Sequence, residues 1–273
     1  METTLNWIRG LHKYFEYTGN TQAQIFMAFL EKSLYAENPV INTTDQKGMI
    51  EFIGTVRKFA PDEVFDIFHK YFRHGYDPEA LQDGFSRGQV ESKIWIAEEL
   101  KKINSNYSNI ILLAGWYGQL RLYLDAVNIL YDNITTIDID ENAGKVSDEI
   151  FNNSLIKDWK MKSCTYDILD IIQYESHCVI PLIKGNGETF NKNVCPDLIV
   201  NTSSEHMNEE WFYKIKTDSV IAIQSNNLFD IPEHKNCVTS IDAMKKKFKF
   251  KTIYYEGEKD LWGYKRFMLI GKK

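Results

Sequence analysis

After residue 105 the chain alternates short apolar runs with stretches of helical periodicity, and this alternation constrains its fold more than any other feature. The first run, residues 110–114, is too short for a helix and too uniformly apolar for an edge strand, so it predicts a strand buried on both faces of a sheet. Strands that alternate with helices indicate βαβ units and a doubly wound parallel sheet. The further predicted strands are residues 134–138, 161–165, 198–201, 219–224, 251–255 and 266–270, and the predicted helices are 119–131, 142–151, 208–216 and 241–247.

The last two predicted strands differ from the others in their connection. Only residues 256–264 lie between Tyr255 and Lys265, which is too short for the dozen or more residues of a helical crossover. These strands are therefore predicted to form an antiparallel hairpin. Residues 5–103 show helical periodicity and no convincing strand. The predicted fold class is thus α/β: a Rossmann-like seven-stranded doubly wound sheet with a terminal antiparallel hairpin, plus an N-terminal helical domain.

Composition limits the partners. The 273 residues allow a helical domain over residues 1–105 and an α/β domain over 106–273, with no room for a third. There are 32 Lys and Arg against 38 Asp and Glu, so nucleic acid is a disfavoured partner. No apolar run reaches the ~18 residues of a membrane span, and a soluble, cytoplasmic protein is expected. The four cysteines form no Cys-x-x-Cys pair, which predicts reduced thiols.

A glycine-containing loop and an acid mark a candidate nucleotide site. Residues 114–119, Ala-Gly-Trp-Tyr-Gly-Gln, follow the first strand, and glycines there permit close approach of a ligand or serve the turn alone. Asp138, followed by Ile139, ends the second strand 23 positions after Gly115, close to the roughly 20 of dinucleotide-binding folds. We predict that Asp138 accepts two hydrogen bonds from a ribose diol; the alternative is that it caps the next helix.

Polar residues also follow the third and fourth strands. Asp167 is predicted to accept from an adenine amino group with Ile168 packed on the ring, or else to begin a turn. His206 is a candidate general base near neutral pH, with Glu205 as its orienting partner or as an alternative base. The alternative for Ser204 and Glu205 is that they cap the following helix.

Amides and hydroxyls after the fourth and fifth strands are predicted to orient a neutral polar substrate. These residues are Ser203, Ser204, Gln224, Asn226 and Asn227. His234 is expected at the surface. No metal is predicted, because His206 and His234 lack the usual short His-x-x-His or His-x-x-x-His spacing. Residues 172–196, with Gly-Asn-Gly at 185–187, form a long irregular connection that is a candidate lid or substrate loop.

Over residues 106–273 these features resemble the class I S-adenosylmethionine-dependent methyltransferases. The resemblance rests on the loop at 114–118, Asp138, Asp167, the segment 201–206 and the terminal hairpin. It implies that S-adenosylmethionine is the cofactor and that residues 201–206, beginning with Asn201, face its methyl group. The loop residues implied to contact the methionine moiety are Gly115, Trp116, Tyr117 and Gly118; Asp138 would hold the ribose and Asp167 would meet the adenine.

The resemblance also extends to residues before the first strand, and two motifs depart from the family pattern. Arg87 or Gln89 is implied to meet the cofactor carboxylate, unless this segment is a simple helix N-terminus, and the helical region is implied to cap the carboxyl edge of the sheet. Ala114 departs from the commoner Gly-x-Gly-x-Gly loop. Residues 201–204 do not match the Asn/Asp-Pro-Pro-Tyr/Phe signature of enzymes that methylate exocyclic amines of nucleobases. Residues 201–207 and 224–227 look more like poorly characterised methyltransferase-like proteins of tailed phages and some bacteria.

The function implied is transfer of a methyl group to oxygen or nitrogen of a small polar acceptor, with His206 as the base. The expected partners are this small molecule and, as one option, a second copy of the chain in a homodimer. Three alternatives stay open: aminocarboxypropyl transfer from the same cofactor, a nicotinamide-dependent oxidoreductase, and a non-catalytic binding module. The missing third glycine and the terminal hairpin weigh against the oxidoreductase.

Overall fold

The computed structural model describes residues 2–35, 46–152, 159–173 and 175–273. Its backbone contacts divide the chain into two compact units, residues 1–94 and 95–273, so that the division lies inside one helix, α6 (Arg87–Ile103). The domain boundary predicted from the sequence lies just after the same helix, at residue 105.

Within its described residues the N-terminal unit consists of helices and the turns between them, with no strand, as predicted. The helices described before α6 are α1 (Glu2–Thr18), α2 (Thr21–Leu34), α3 (Gln46–Phe59), α4 (Glu63–Arg73) and α5 (Pro78–Gly84). Asn20, Asp62 and Asp77 begin three of them, each accepting a hydrogen bond from an amide of the first turn. Aromatic side chains fill the interior of the unit; Phe68, for example, packs edge-on against Phe85 with ring centroids 4.9 Å apart.

The C-terminal unit contains a seven-stranded sheet, as the sequence predicts. Its strands are β1 (Asn106–Leu113), β2 (Leu130–Asp138), β3 (Met161–Thr165), β7 (Leu198–Asn201), β8 (Val220–Asn226), β9 (Thr252–Leu261) and β10 (Tyr264–Lys272). The order across the sheet is β3-β2-β1-β7-β8-β10-β9. The first five strands in this order are parallel, and the last two form an antiparallel hairpin at the edge.

Two predicted helices are shorter than expected. The helices of this unit, besides the end of α6, are α7 (Leu120–Ala126), α8 (Glu141–Ile150), α9 (Glu210–Lys214) and α10 (Ile241–Lys247). The predicted helix 119–131 ends at Ala126, because Asn128 takes a left-handed conformation with φ 56° and β2 already begins at Leu130. The predicted helix 208–216 is reduced to the five residues of α9.

The prediction of an irregular loop over residues 172–196 is wrong. This segment contains β4 (Ile172–Gln173), β5 (Cys178–Ile183) and β6 (Thr189–Val194), which form a separate antiparallel three-stranded sheet. Cys178, Ile180 and Leu182 alternate along β5 and are buried in the core of the unit. That period-two pattern is the signal that the sequence analysis missed.

Strand register places the site residues at one edge of the large sheet. Leu113 of β1 pairs with Ile137 of β2 and with Asn201 of β7. Because parallel strands share a direction, their carboxyl ends meet at this edge. β10 runs the opposite way, so Arg266, near its start, pairs with Asn226 at the end of β8. No helix within the described ranges combines the length and the apolar character that crossing a bilayer requires.

The turn between β1 and α7 requires glycine at position 118. Gly118 has φ 72°, and a Cβ there would overlap the Met161 methyl group and lie 3.2 Å from Ser147 Oγ. We expect Gly118→Ala to lower the free energy of unfolding by about 1–2 kcal/mol, the typical penalty for a left-handed non-glycine residue. Gly185→Ala is the control, since it lies in open space without a left-handed backbone. Urea unfolding followed by circular dichroism measures both, and equal stability of the two variants would contradict the expectation.

Candidate active site

The Asp138 side chain lies across the ends of β1 and β2. Its Oδ2 accepts a hydrogen bond from the Trp116 amide at 2.9 Å, and its Oδ1 accepts from the Asp140 amide at 3.1 Å. The Ile139 amide makes a third contact. A carboxylate has about four acceptor positions, so at least one remains for a ligand hydroxyl. The ribose diol predicted to donate two bonds therefore has one position available without displacing an amide.

Burial raises the pKa of Asp138, and the backbone amides partly oppose that rise because they stabilise the charged form. The neighbouring Ile139 side chain is 75% exposed at the same edge of the sheet. A half-buried acceptor beside an exposed apolar side chain suits a ligand that carries both hydroxyls and an apolar ring.

The loop that reaches Asp138 has an unusual backbone. Ala114 and Trp116 have φ of 46° and 45°, in the left-handed region that non-glycine residues seldom occupy. The Trp116 and Tyr117 rings stack with centroids 4.4 Å apart, and Tyr117 is buried. Gly118 donates back to the Gly115 carbonyl at 2.7 Å, which closes the turn. Such strained residues persist only where the surrounding packing holds them in place, and they are concentrated at ligand sites.

Asp167 and Ile168 follow β3 at the same edge. Asp167 Oδ1 accepts from the Leu169 amide at 2.8 Å and begins a 3-10 turn, which is the alternative that the sequence left open. Ile168 lines a small apolar pocket with Ile137 and Ile199. The contact of these two residues with adenine stays a prediction.

A short 3-10 turn, Ser204–His206, follows β7 and places the two candidate catalytic side chains in different environments. Asn201 is buried and its Oδ1 accepts from the Ser203 amide at 2.9 Å. Ser204 Oγ donates to the Gln224 carbonyl at 2.7 Å. The turn leaves Glu205 buried and His206 exposed. Ser204 and Glu205 do not cap α9, since that helix begins at Glu210 and the Asn208 side chain accepts its first amide.

Glu205 belongs to a buried charge network. It is 2% exposed, and its Oε1 accepts from Asn226 Nδ2 at 2.7 Å and from Arg266 Nη1 at 3.1 Å. Arg266, 3% exposed, also donates from Nη2 to the Thr202 carbonyl. Glu205 Oε2 has no hydrogen-bond partner in the described part of the chain.

His206 lies against a second histidine. The His206 and His234 rings meet edge to face with centroids 4.6 Å apart. Partial burial lowers the pKa of His206, although the charge of Glu205 acts in the opposite direction. The ring is therefore neutral at pH 7 and able to accept a proton. His234, which was expected at the surface, is half-exposed in the loop after β8, and the sequence did not predict its contact with His206.

Most of the predicted substrate residues bind other parts of the protein. Gln224 and Asn226 are buried, and Asn226 uses its amide nitrogen on Glu205 and its oxygen on the Leu228 amide. Asn227 is half-buried, with its oxygen bound to the Lys265 amide. Ser203 is also half-buried. Substrate binding by these residues stays a prediction.

Arg87 and Gln89, in the N-terminal unit, each have a partner one helical turn away. Arg87 Nε lies 2.8 Å from Glu91 Oε1, and Gln89 Oε1 accepts from Lys93 Nζ at 2.6 Å. Their contact with a cofactor carboxylate stays a prediction. Arg266 is the functional candidate that the sequence analysis missed. A charged residue beside the apolar run 267–270 of a predicted strand could have indicated a buried partner.

Comparison with known proteins bears on the fold. No family model and no curated protein matches the chain. Among solved structures, magnesium protoporphyrin IX methyltransferase from Synechocystis PCC 6803 with bound S-adenosylhomocysteine (SAH) is 12% identical, with a TM-score of 0.50 over 81% of this chain and 99% of that one. A SAM dependent methyltransferase from Aquifex aeolicus is 15% identical, with a TM-score of 0.46 over 72% of this chain and 98% of that one. The chain has the fold of the class I methyltransferases, which the resemblance predicted.

Removing Arg266 tests the buried pair. We expect Arg266→Met to lower the free energy of unfolding by about 3–5 kcal/mol, because it leaves the Glu205 carboxylate buried without a counter-charge. The double variant Glu205→Gln/Arg266→Met removes both charges and should recover most of this loss. Lys272→Met is the control: its partner Asp218 is 84% exposed, and such surface pairs contribute about 0–1 kcal/mol. Urea unfolding at pH 7 measures the free energy of unfolding of all these variants. An equal loss in Arg266→Met and Lys272→Met would contradict the stabilising role of the Glu205–Arg266 pair.

Proposed function

We propose that this chain is an S-adenosylmethionine-dependent methyltransferase that acts on oxygen or nitrogen of a small polar acceptor. The observation that carries the proposal is the Asp138 carboxylate, held by the Trp116 amide where β1 and β2 end, in a seven-stranded sheet of methyltransferase order. The Synechocystis structure with the same fold holds SAH. That likeness supports the cofactor assignment, and Asp138 supplies a chemically suitable acceptor for a ribose hydroxyl.

The residues proposed to hold the cofactor are those at the tips of β1, β2, β3 and β7. They are Gly115, Trp116, Tyr117 and Gly118 for the methionine moiety, Asp138 and Ile139 for the ribose, and Asp167, Ile168 and Asn201 for the rest of the molecule. S-adenosylmethionine supplies an electrophilic methyl group on a sulfonium. The Trp116 ring stacks on the buried Tyr117 ring, and a loop held by such packing loses less entropy when it binds a ligand.

His206 is proposed to accept the proton that the acceptor hydroxyl or amine loses as it attacks. The ring is neutral at pH 7 because burial lowers its pKa, and its exposed edge is accessible to a small molecule. Glu205 is fixed by Asn226 and Arg266, and its negative charge stabilises the imidazolium that proton transfer produces. Because a sulfonium is already reactive, alignment of the acceptor and removal of this proton are the main tasks of the protein.

Replacing Asp138 tests the cofactor site. We expect Asp138→Asn to weaken SAH binding about 10-fold to 100-fold, because a hydrogen bond to a charged group contributes about 1.5–3 kcal/mol. Asp260→Asn is the control, since Asp260 is 85% exposed on the hairpin. Titration calorimetry with S-adenosylmethionine and SAH measures both variants, with circular dichroism to verify folding. If neither S-adenosylmethionine nor SAH produced heat of binding with the wild-type chain, every transferase proposal would be refuted.

Replacing His206 tests the proposed base. With a panel of small alcohols, phenols and amines, we expect His206→Gln to slow turnover by about 10²–10⁴-fold while SAH affinity is unchanged. His177→Gln is the control, because His177 is a half-exposed histidine outside the proposed site, with its Nδ1 3.0 Å from Ser176 Oγ. In the wild type, the rate should fall on the acid side with a midpoint below 6.5, the ordinary pKa of histidine, because the His206 pKa is lowered.

Mass spectrometry of the products completes this test. Formation of SAH indicates methyl transfer, whereas methylthioadenosine indicates aminocarboxypropyl transfer and would overturn the proposed reaction but not the cofactor. Unchanged turnover in His206→Gln would remove this residue from the mechanism.

A further inference from the structure

The geometry of Glu205, His206 and His234 points to a metal site, and we propose that these three side chains bind one divalent transition-metal ion of the Zn²⁺ type. One carboxylate oxygen and one ring nitrogen from each histidine lie within 4.8 Å of one another. Two imidazoles and one carboxylate form the protein ligand set of many catalytic zinc sites and of the facial triad of non-haem iron. All three residues lie in the C-terminal unit, two in the turn after β7 and one in the loop after β8.

The surroundings of the two histidines match those of metal ligands. His234 Nδ1 lies 3.0 Å from the Leu228 carbonyl oxygen, and the His206 ring contacts the Glu233 backbone carbonyl. Metal-binding imidazoles are typically held in this way, through one nitrogen bound to a carbonyl, which orients the ring. The carboxylate is held similarly, since Asn226 and Arg266 both donate to Glu205 Oε1.

An unpartnered oxygen is the independent sign of a missing ligand. Glu205 is 2% exposed, and its Oε2 is buried without a hydrogen-bond partner among the described residues. The carboxylate charge is paired with Arg266 through Oε1, but leaving the second buried oxygen without a hydrogen bond is unfavourable, and an absent ion is one of the recognised explanations for such an atom. A cation between Glu205 and the two imidazoles would supply the partner.

The geometry and the types of ligand also limit which metal ion can bind and how tightly. Zinc ligands lie about 2.0–2.2 Å from the ion, so the three side chains must approach one another on binding. His206 is exposed and His234 half-exposed, so neither ring is enclosed by packing on all sides and both can make this small adjustment. Imidazole donors favour zinc, cobalt, nickel and copper over magnesium and calcium. Arg266 offsets the carboxylate charge, so we expect weaker binding than at a site without a neighbouring cation.

The metal site does not rest on methyl transfer. It is measured without S-adenosylmethionine or an acceptor, so its failure leaves the cofactor proposal intact, and the reverse also holds. A His206 nitrogen that coordinates a cation cannot also accept a proton. The test of His206 as a base therefore requires chelator-treated protein.

The experiment is a Co²⁺ titration of the chelator-treated full chain, followed by visible absorption, with Zn²⁺ calorimetry in parallel. We expect one saturable equivalent, and we expect His234→Ala and His206→Ala each to weaken binding at least 10-fold while circular dichroism is unchanged. His177→Ala is the matched control, a half-exposed histidine of the same unit outside the cluster, and should bind as the wild type does.

Three outcomes would overturn the site. They are the absence of saturable binding to the wild-type chain, undiminished binding to His234→Ala, and an intense thiolate-to-cobalt absorption. The last would assign the metal to a cysteine, for which the half-buried Cys237, whose Sγ lies 3.3 Å from Asn226 Oδ1, is the nearest candidate.

Discussion

The shared direction of five parallel strands is the constraint on which the rest of the C-terminal unit depends. Each of these strands buries apolar side chains, and the apolar runs of β1, β2 and β7 stop at the same edge of the sheet. The polar residues that follow are thereby gathered at one place, although they lie far apart along the chain. Hydrophobic burial thus determines where the chemistry is located, and the individual polar contacts only refine it.

The antiparallel hairpin adds a group that the parallel strands do not supply. Because β10 runs opposite to β8, its beginning reaches the edge where β8 ends, and Arg266 arrives beside Asn226 and Glu205. Burying this pair has a large desolvation cost, which the attraction between the charges and the bonds to Asn226 and Thr202 offset. The result is a carboxylate whose position does not depend on a ligand. This is the property that both an orienting group for His206 and a metal ligand require.

Much of the fold could be predicted because the responsible signals are local. A uniformly apolar run such as 110–114 indicates a buried strand wherever it lies. The predicted connection 256–264 is too short for anything but a hairpin, and the structure shortens it further because β9 continues to Leu261 and β10 begins at Tyr264. The segment 172–196 was mispredicted because its strands are short and because Gly185 and Gly187, which lie in the turn between β5 and β6, suggested an irregular loop. The predicted substrate amides show a further limit. Gln224 and Asn226 were placed at the correct edge, but a sequence does not indicate whether an amide faces a ligand or, as in the structure, another buried side chain.

The sequence by itself determined the order of strands and helices that build the large sheet, the terminal hairpin, and the positions of Asp138 at the end of one strand and of His206 shortly after another. Only the tertiary structure decided which of these residues are neighbours. His206 and His234 are 28 positions apart, so their spacing gave no reason to expect a metal, yet their rings lie 4.6 Å apart. The physical reason is that β7 and β8 are adjacent and parallel, so the turn after β7 and the loop after β8 lie side by side at the same edge of the sheet. Distances of this kind depend on strand pairing, which no local pattern of residues encodes.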